Sequence, residues 1–242
     1  MATPEPVTAE PPRPVRRSLL VQQWRDLTFL HWAAEPDVVR PFLPVGTEPD
    51  TVDGVTYIGL IAFRMVGLGL FNGPGLPYLG TFCETNVRLY SVDAEGRRGV
   101  VFLSLEAARL VPVLVAQVSL RLPYKWASMR IERDGDTLTY TSRRRTRRAP
   151  CSTITVRTAD PIAEPSTVEH FVTARWGLHV RTYGRTLYMP NVHPAWPLHR
   201  AELVHLDDDL VMASGLPAQL RPPDSVLYSP GVPVHFGAPT RV

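Results

Sequence analysis

Lysine is almost missing from this chain. Of its 26 basic residues one, Lys125, is a lysine and all the others are arginines. Arginine stays protonated in nearly any protein site, whereas a lysine amine can be driven to neutrality and then serve as base or nucleophile. Side-chain amine chemistry therefore has one candidate. Cysteine is scarce too: Cys83 and Cys151 stand far apart without CxxC or Cys/His spacing. That excludes a disulfide framework and a zinc cluster, and reads as two free thiols in a reducing compartment. No apolar run approaches the roughly 18 residues of a membrane helix. The stretch Pro4 to Pro14 is proline-rich and lacks the apolar segment of a signal peptide. The expectation is a cytoplasmic protein with no membrane partner.

Nucleotide-binding signatures are also absent, with neither a G-x-x-x-x-G-K-[ST] loop nor a G-x-G-x-x-G turn. No G-x-S-x-G elbow marks a serine hydrolase. His193 and His199 lie six apart without a compact third ligand, so no metal is expected. Nothing calls for a cofactor. The net charge of only +3 gives little support to a nucleic-acid partner.

What is present suits a β-rich domain. The chain is 242 residues long and 44% hydrophobic, enough to bury a sizeable core, and its 25 prolines and 16 glycines favour many short strands parted by turns. Residues 1–17 read as a disordered arm that packs on nothing, and 18–242 as a single domain. A short helix is expected over Glu35–Pro41. Strands are expected at Val55–Met65, Thr81–Val92, Gly99–Leu105, Trp126–Arg133, Thr137–Ser142 and Ser152–Thr158. A long loop should span Val66–Gly80, a short buried helix Glu106–Ser119, and a Pro/Gly-rich tail Ser225–Val242. Ser166-Thr167-Val168-Glu169 has the form of a capping box, opening a helix through Trp176.

Several residues could carry chemistry. Period-two alternation puts Phe82, Glu84, Asn86, Arg88 and Tyr90 on one strand face. Either that face is wet and Glu84 pairs with a cation, or it lines a pocket in which Glu84 is a general acid/base. Lys125 shares its parity with Ala127, Met129 and Ile131, an apolar face on which burial would lower its proton affinity. Alternatively, Pro123 bends the chain and the lysine snorkels to solvent. His193 and Trp196 lie in a proline-bracketed segment that could wall a pocket. Arg175, His179 and Arg181 could bind a carboxylate, and Arg121 or Arg109 could repel the Lys125 amine. The run Arg143-Arg144-Arg145-Thr146-Arg147-Arg148 reads as an exposed hairpin end without interleaved aromatics for base stacking.

Four segments together resemble a known family: Thr81-Phe82-Cys83-Glu84-Thr85-Asn86-Val87-Arg88, then Leu122-Pro123-Tyr124, then Trp176 to Tyr183, then His193-Pro194-Ala195-Trp196-Pro197-Leu198. In this order, from about Trp24 to Tyr228, they are similar to the YqjF-like bacterial family, domain of unknown function 2071. The resemblance implies an α+β, mainly antiparallel β-barrel or sandwich like that of acetoacetate decarboxylase, closed around a central pocket with a few short helices. In that enzyme a strand glutamate precedes Phe-Pro-Lys-Lys, whose first lysine forms a Schiff base. Glu84 falls on the glutamate and Leu122-Pro123-Tyr124-Lys125 on the lysine element, which sets Tyr124 at the nucleophile and Lys125 one position later. The expected catalytic residues are thus Lys125, Glu84 and Tyr124. Arg88, Arg109, Trp196 and His193 are the expected ligand contacts. The implied function is a small-molecule pocket acting on an organic or keto acid, as a decarboxylase-like lyase. The alternative is a non-catalytic binding module that kept the barrel and lost the nucleophile. Whether it forms a homo-oligomer is left open.

Overall fold

A computed structural model describes residues 2–71, 73–109 and 121–242. Its strands, in chain order, are β1 (Leu20–Ala34), β2 (Thr47–Pro49), β3 (Thr56–Leu70), β4 (Phe82–Asp93), β5 (Arg98–Ala107), β6 (Tyr124–Asp134), β7 (Thr137–Arg144), β8 (Cys151–Pro161), β9 (Gly177–Thr182), β10 (Arg185–Val192), β11 (His199–Asp208), β12 (Ser225–Phe236) and β13 (Thr240–Arg241). Short helices α1 (Pro36–Val39), α2 (Thr167–Thr173) and α3 (Leu210–Ala213) join them. All the strands belong to one sheet, antiparallel except where β5 meets β6 and β9.

The pairings close that sheet twice. One ring runs β4-β5-β9-β10-β12-β1-β3, and a second leaves β5 through β6, β7, β8 and β11 before rejoining β12. The strands β12, β1, β3, β4 and β5 form a wall common to both barrels. Each barrel has its own core: Phe29, Ile61, Phe63, Tyr90, Val180 and Phe236 fill the first, and Leu30, Leu60, Leu89, Leu138, Ile154 and Val156 the second. This explains the largely apolar run Val55–Met65. A strand with a packed core on either face has no solvent side to mark with polar residues, and Thr56–Phe63 is buried at every position.

Several expectations are met and several corrected. The capping box forms, with the Glu169 amide donating to Ser166 Oγ at 3.2 Å and the Ser166 amide to Glu169 Oε2 at 2.7 Å. The helix it opens ends at Thr173, short of Trp176. The segment Ser225–Phe236 is no tail: it is β12, a wall of both barrels. The expected loop from Val66 begins instead as a continuation of β3 to Leu70. Glu106 and Ala107, expected in a helix, end β5, while 110–119 of that segment lie outside the described residues.

The arm also differs from expectation. It forms no strand or helix, yet the Ala2 amide donates to Ala94 O at 3.0 Å and the Glu5 amide to Gly96 O at 2.9 Å. Val7 packs on the first core, and Arg13 pairs with Glu5. A proline-rich segment with little apolar surface can still be held by main-chain hydrogen bonds to a hairpin turn.

Gly231 shows how tightly β12 meets β1. Its φ is +120°, and a Cβ there would stand 1.9 Å from Trp24 O. Gly231→Ala combines left-handed strain with a main-chain clash, and is expected to cost about 3 kcal/mol or more. Gly135 has φ +59° with nothing within 4 Å of a built Cβ. Its alanine variant should cost only about 1 kcal/mol. Urea denaturation of the pair checks this, and equal losses would contradict it.

Candidate functional site

The even face of β4 is turned into the first barrel. Glu84, Asn86, Arg88 and Tyr90 are all buried there, so the face is covered and not wet. β6 runs parallel to β5 with Leu105 opposite Tyr124. That register brings the Tyr124 hydroxyl to donate to Glu84 Oε2 at 2.9 Å, across forty residues of sequence. Asn86 Nδ2 approaches Glu84 Oε1 at 3.5 Å. Burial pushes the Glu84 carboxyl up to about 7, against the opposing pull of the Tyr124 and Asn86 hydrogen bonds and with help from the Glu106 charge. Burial and the neighbouring Glu84 raise the Tyr124 phenol well above its ordinary value. A carboxyl that changes charge near neutrality is suited to proton transfer.

Lys125 goes elsewhere. Adjacent strand residues point to opposite faces, so once Tyr124 faces Glu84, its neighbour faces away. Lys125 stands in register with Glu106 and is exposed at the end of the second barrel, beside Arg144, Arg147 and Arg148. Of the two settings open to it, the solvent-exposed one is found: Lys125 shares its face with Ala127, but β7 flanks the strand only from Ala127 onward.

Farther along the same β4 face, Arg88 reaches across the first barrel. Its Nε donates to the Tyr90 hydroxyl at 3.0 Å and its Nη2 to Val172 O at 2.8 Å. Room for it comes from Gly59 on β3, where a Cβ would lie 3.1 Å from Arg88 Cγ. Tyr90 donates its own proton to Val172 O at 2.9 Å, so it must receive one from His31 Nε2 at 2.6 Å. Burial, with the charges of Arg88 and Arg175, holds that imidazole well below its usual range, leaving it neutral. Arg175, on the chain leaving α2, is 3% exposed and pairs with Asp50, which also binds Arg98. Among the described residues Arg88 has no carboxylate partner, and Arg175 Nη2 has no partner at all. Arg98 and Arg175 thus share the single carboxylate of Asp50, and Arg88 is left without one.

Arg88 and Arg175 border a cavity of about 30 Å³ together with Asn191, His193, Trp24 and Trp196, room for about one water. His193 lies between Trp176 and Trp196, with ring centroids at 4.5 and 4.8 Å. Its Nδ1 is 2.8 Å from Pro194 O, which makes Nδ1 the protonated nitrogen. Burial, aided by Arg88, takes this histidine down to about 4, so near neutral pH it is uncharged. Trp196 stacks on Trp24 at 5.9 Å and separates this cavity from an outer hollow of about 380 Å³, bordered also by Ala9 of the arm.

The structure therefore brings Arg88, His193 and Trp196 together, and Glu84 with Tyr124 on the same barrel wall. It leaves Lys125 and Arg109 out of these groupings. Arg109 lies over the Tyr78 ring, 4.1 Å from its centroid. Of the suggested carboxylate binders only Arg175 reaches the cavity. Arg181 is exposed, and His179 binds Ser91 at 2.8 Å and Asp93 at 3.3 Å. That Ser-His-Asp arrangement is wholly buried, and Ser91 Oγ also lies 3.3 Å from Gly99 O, so it braces the β4–β5–β9 junction. In the arginine run Arg143, Arg145, Arg147 and Arg148 are exposed as expected, whereas Arg144 turns inward to pair with the fully buried Glu106. Sequence reasoning missed Asp50, which follows a short strand without any motif, and Asn191. The only sequence signal for Asn86 was its place between Glu84 and Arg88. Among the described residues, no group of three or more His, Cys, Asp and Glu could hold a metal, and no helix is long and apolar enough to cross a membrane.

With this geometry in view, comparison with known proteins is informative. The family model for domain of unknown function 2071, described as an uncharacterized conserved protein, matches residues 21–233. The chain belongs to this family. It is 32% identical over 187 residues to the protein named "Uncharacterized protein YqjF" of Bacillus subtilis, covering 76% of each chain. Among solved structures it is similar to the enduracididine biosynthesis enzyme MppR complexed with pyruvate, with a TM-score of 0.65 and 15% identity over 92% of this chain and 90% of that one. An acetoacetate decarboxylase gives a TM-score of 0.65 at 13% identity, covering 97% and 91%. The acetoacetate decarboxylase of Legionella pneumophila gives 0.57 at 16%, covering 100% and 92%. The fold of this family member is thus acetoacetate decarboxylase-like, a strand-dominated barrel architecture with few short helices.

Proposed function

We propose that this protein binds a small organic acid in its first barrel and moves a proton on it with Glu84, without a Schiff base. The observation that carries this reading is the buried Glu84, held by Tyr124 on the wall that also presents Arg88 without a counter-ion. A buried guanidinium lacking a carboxylate is costly unless an anion completes it, and its fork suits a carboxylate. Glu84, poised near 7, would take a proton from carbon next to a carbonyl, and Tyr124 would orient the carboxylate. MppR, a protein of similar fold, carries pyruvate in its solved complex, which supports a keto acid as the ligand class. The exposure of Lys125, on the face opposite the Tyr124–Glu84 bond, speaks against a decarboxylase that works through an imine.

The test uses a panel of 2-oxo and 3-oxo acids. In D₂O the protein is expected to exchange the proton next to the carbonyl of one panel member. Glu84→Gln should lose that exchange by about a hundredfold or more while still binding the acid. Arg88→Gln should weaken binding by about tenfold or more. Borohydride treatment with the same panel should leave the intact mass unchanged. A substrate-sized adduct on a peptide containing Lys125 would overturn the imine-free reading. Binding without exchange would leave the non-catalytic module as the function.

A further inference from the structure

The end of the second barrel carries a separate, strongly basic hollow. Where β7 turns into β8, Lys125, Arg144, Thr146, Arg147 and Arg148 line a depression of about 390 Å³, closed on one side by Ala213 at the end of α3. The volume lies within the range of small-molecule sites. Four cations converge there, and no carboxylate lines it. Beneath it, Glu106 is fully buried and taken by Arg144, whose Nε donates to it at 3.0 Å.

Some surface arginines elsewhere are matched with acids, as in Arg40 with Glu48, Arg133 with Asp26, Arg157 with Glu202 and Arg221 with Asp224, while others among the described residues, such as the exposed Arg181 and Arg185, are not. Lys125, Arg147 and Arg148 have no such partner among the described residues. What sets this place apart is that its unpaired cations line one concavity.

We propose that this hollow is a binding site for a small molecule bearing a di- or triphosphate. A polyphosphate concentrates several negative charges in a short chain, which fits several cations around one hollow better than a single carboxylate does. Guanidinium forks match phosphate oxygens pairwise, a lysine adds a compact charge, and the Thr146 hydroxyl supplies a neutral donor. A nucleic-acid strand fits less well: the one exposed aromatic nearby, Trp126, is covered by Arg145 at 4.7 Å, and bases would need free rings on which to stack. The lone lysine is then part of an anion site and not a nucleophile. This inference does not rest on the organic-acid reading of the first barrel.

The test is calorimetric titration of the full chain with sodium tripolyphosphate, with sulfate at matched ionic strength as control. One-to-one binding is expected, clearly tighter than sulfate. Lys125→Gln and Arg148→Gln should each weaken it by about tenfold, and Lys125→Arg should retain it. Arg144 is left in place because it neutralises Glu106. The proposal is overturned if tripolyphosphate binds no tighter than sulfate, or if both glutamine variants bind like the parent. It is also overturned if phosphatidylcholine vesicles containing phosphatidylinositol bisphosphate capture the protein and free tripolyphosphate does not compete, which would assign the hollow to a membrane surface.

Discussion

Asp50→Ala is expected to lower the stability of the fold by about 4 kcal/mol, the range seen when one partner of a buried ion pair is removed. Asp50 directly follows the three-residue β2 and is 2% exposed. Its amide is tied to Tyr90 O at 3.0 Å, and its carboxylate binds both Arg98 and Arg175. Without it, Arg175 keeps the bond from Nε to Phe171 O at 2.7 Å and its packing over the Phe171 and Tyr90 rings, at 4.1 and 4.8 Å. Removing the acid leaves the cation buried, since the side chain is enclosed by α2 and the first core. Asp50→Ala combined with Arg175→Met should recover a good part of the loss, because the uncompensated charge goes with its partner. Urea denaturation of the single and double variants measures this. A single-variant loss below about 1 kcal/mol would mean that solvent reaches the pair and neutralises the penalty.

Glu84→Gln should have the opposite sign at alkaline pH. The folded protein holds the Glu84 proton with a pKa of about 7 against an ordinary 4.5, so the native state binds that proton more tightly than the unfolded chain. The stability linked to this proton is fully present below about pH 4.5. It declines as the pH rises and is lost once the pH passes about 7. The difference amounts to about 3 kcal/mol. Glutamine is neutral throughout and can still accept from Tyr124. The variant is therefore expected to be more stable than the parent at pH 8 by up to about 3 kcal/mol and nearly equal to it at pH 5. Urea midpoints for both proteins across pH 5 to 8 would show the two curves diverging. Parallel curves would remove the case for a carboxylate poised near neutrality. Stabilisation together with loss of proton exchange would mark Glu84 as a group kept at a cost to the fold.

Much of this arrangement was legible along the chain. Alternation alone grouped Glu84, Asn86 and Arg88 on one face, and local hydrogen-bonding chemistry alone specified the Ser166 capping box. Proline and glycine content excluded a helical bundle, and the four matching segments pointed to the family. The strand Ser225–Phe236 was not legible, because glycine and proline inside a strand look like a tail until both neighbours of that strand are known. The arm was misread for a related reason: hydrogen bonds from its main chain to Ala94 and Gly96 leave no trace in composition.

What the sequence by itself determined is the set of faces within its expected strands, such as the Glu84, Asn86 and Arg88 face of β4. Tyr124 and Lys125 lie before the strand expected from Trp126, and they take opposite directions because β6 begins at Tyr124. Only the tertiary structure decided which direction is inward. Both sides of the shared wall are packed against a core, so polarity could not say which barrel the β4 face enters. The parallel register of β5 and β6 made that choice by placing Tyr124 opposite Leu105 and within reach of Glu84. It left Lys125 with the arginines of the β7–β8 turn. The same closure placed Asp50 beside Arg175, 125 residues away. Such a pairing depends on where two loops meet in space, and no local pattern encodes it.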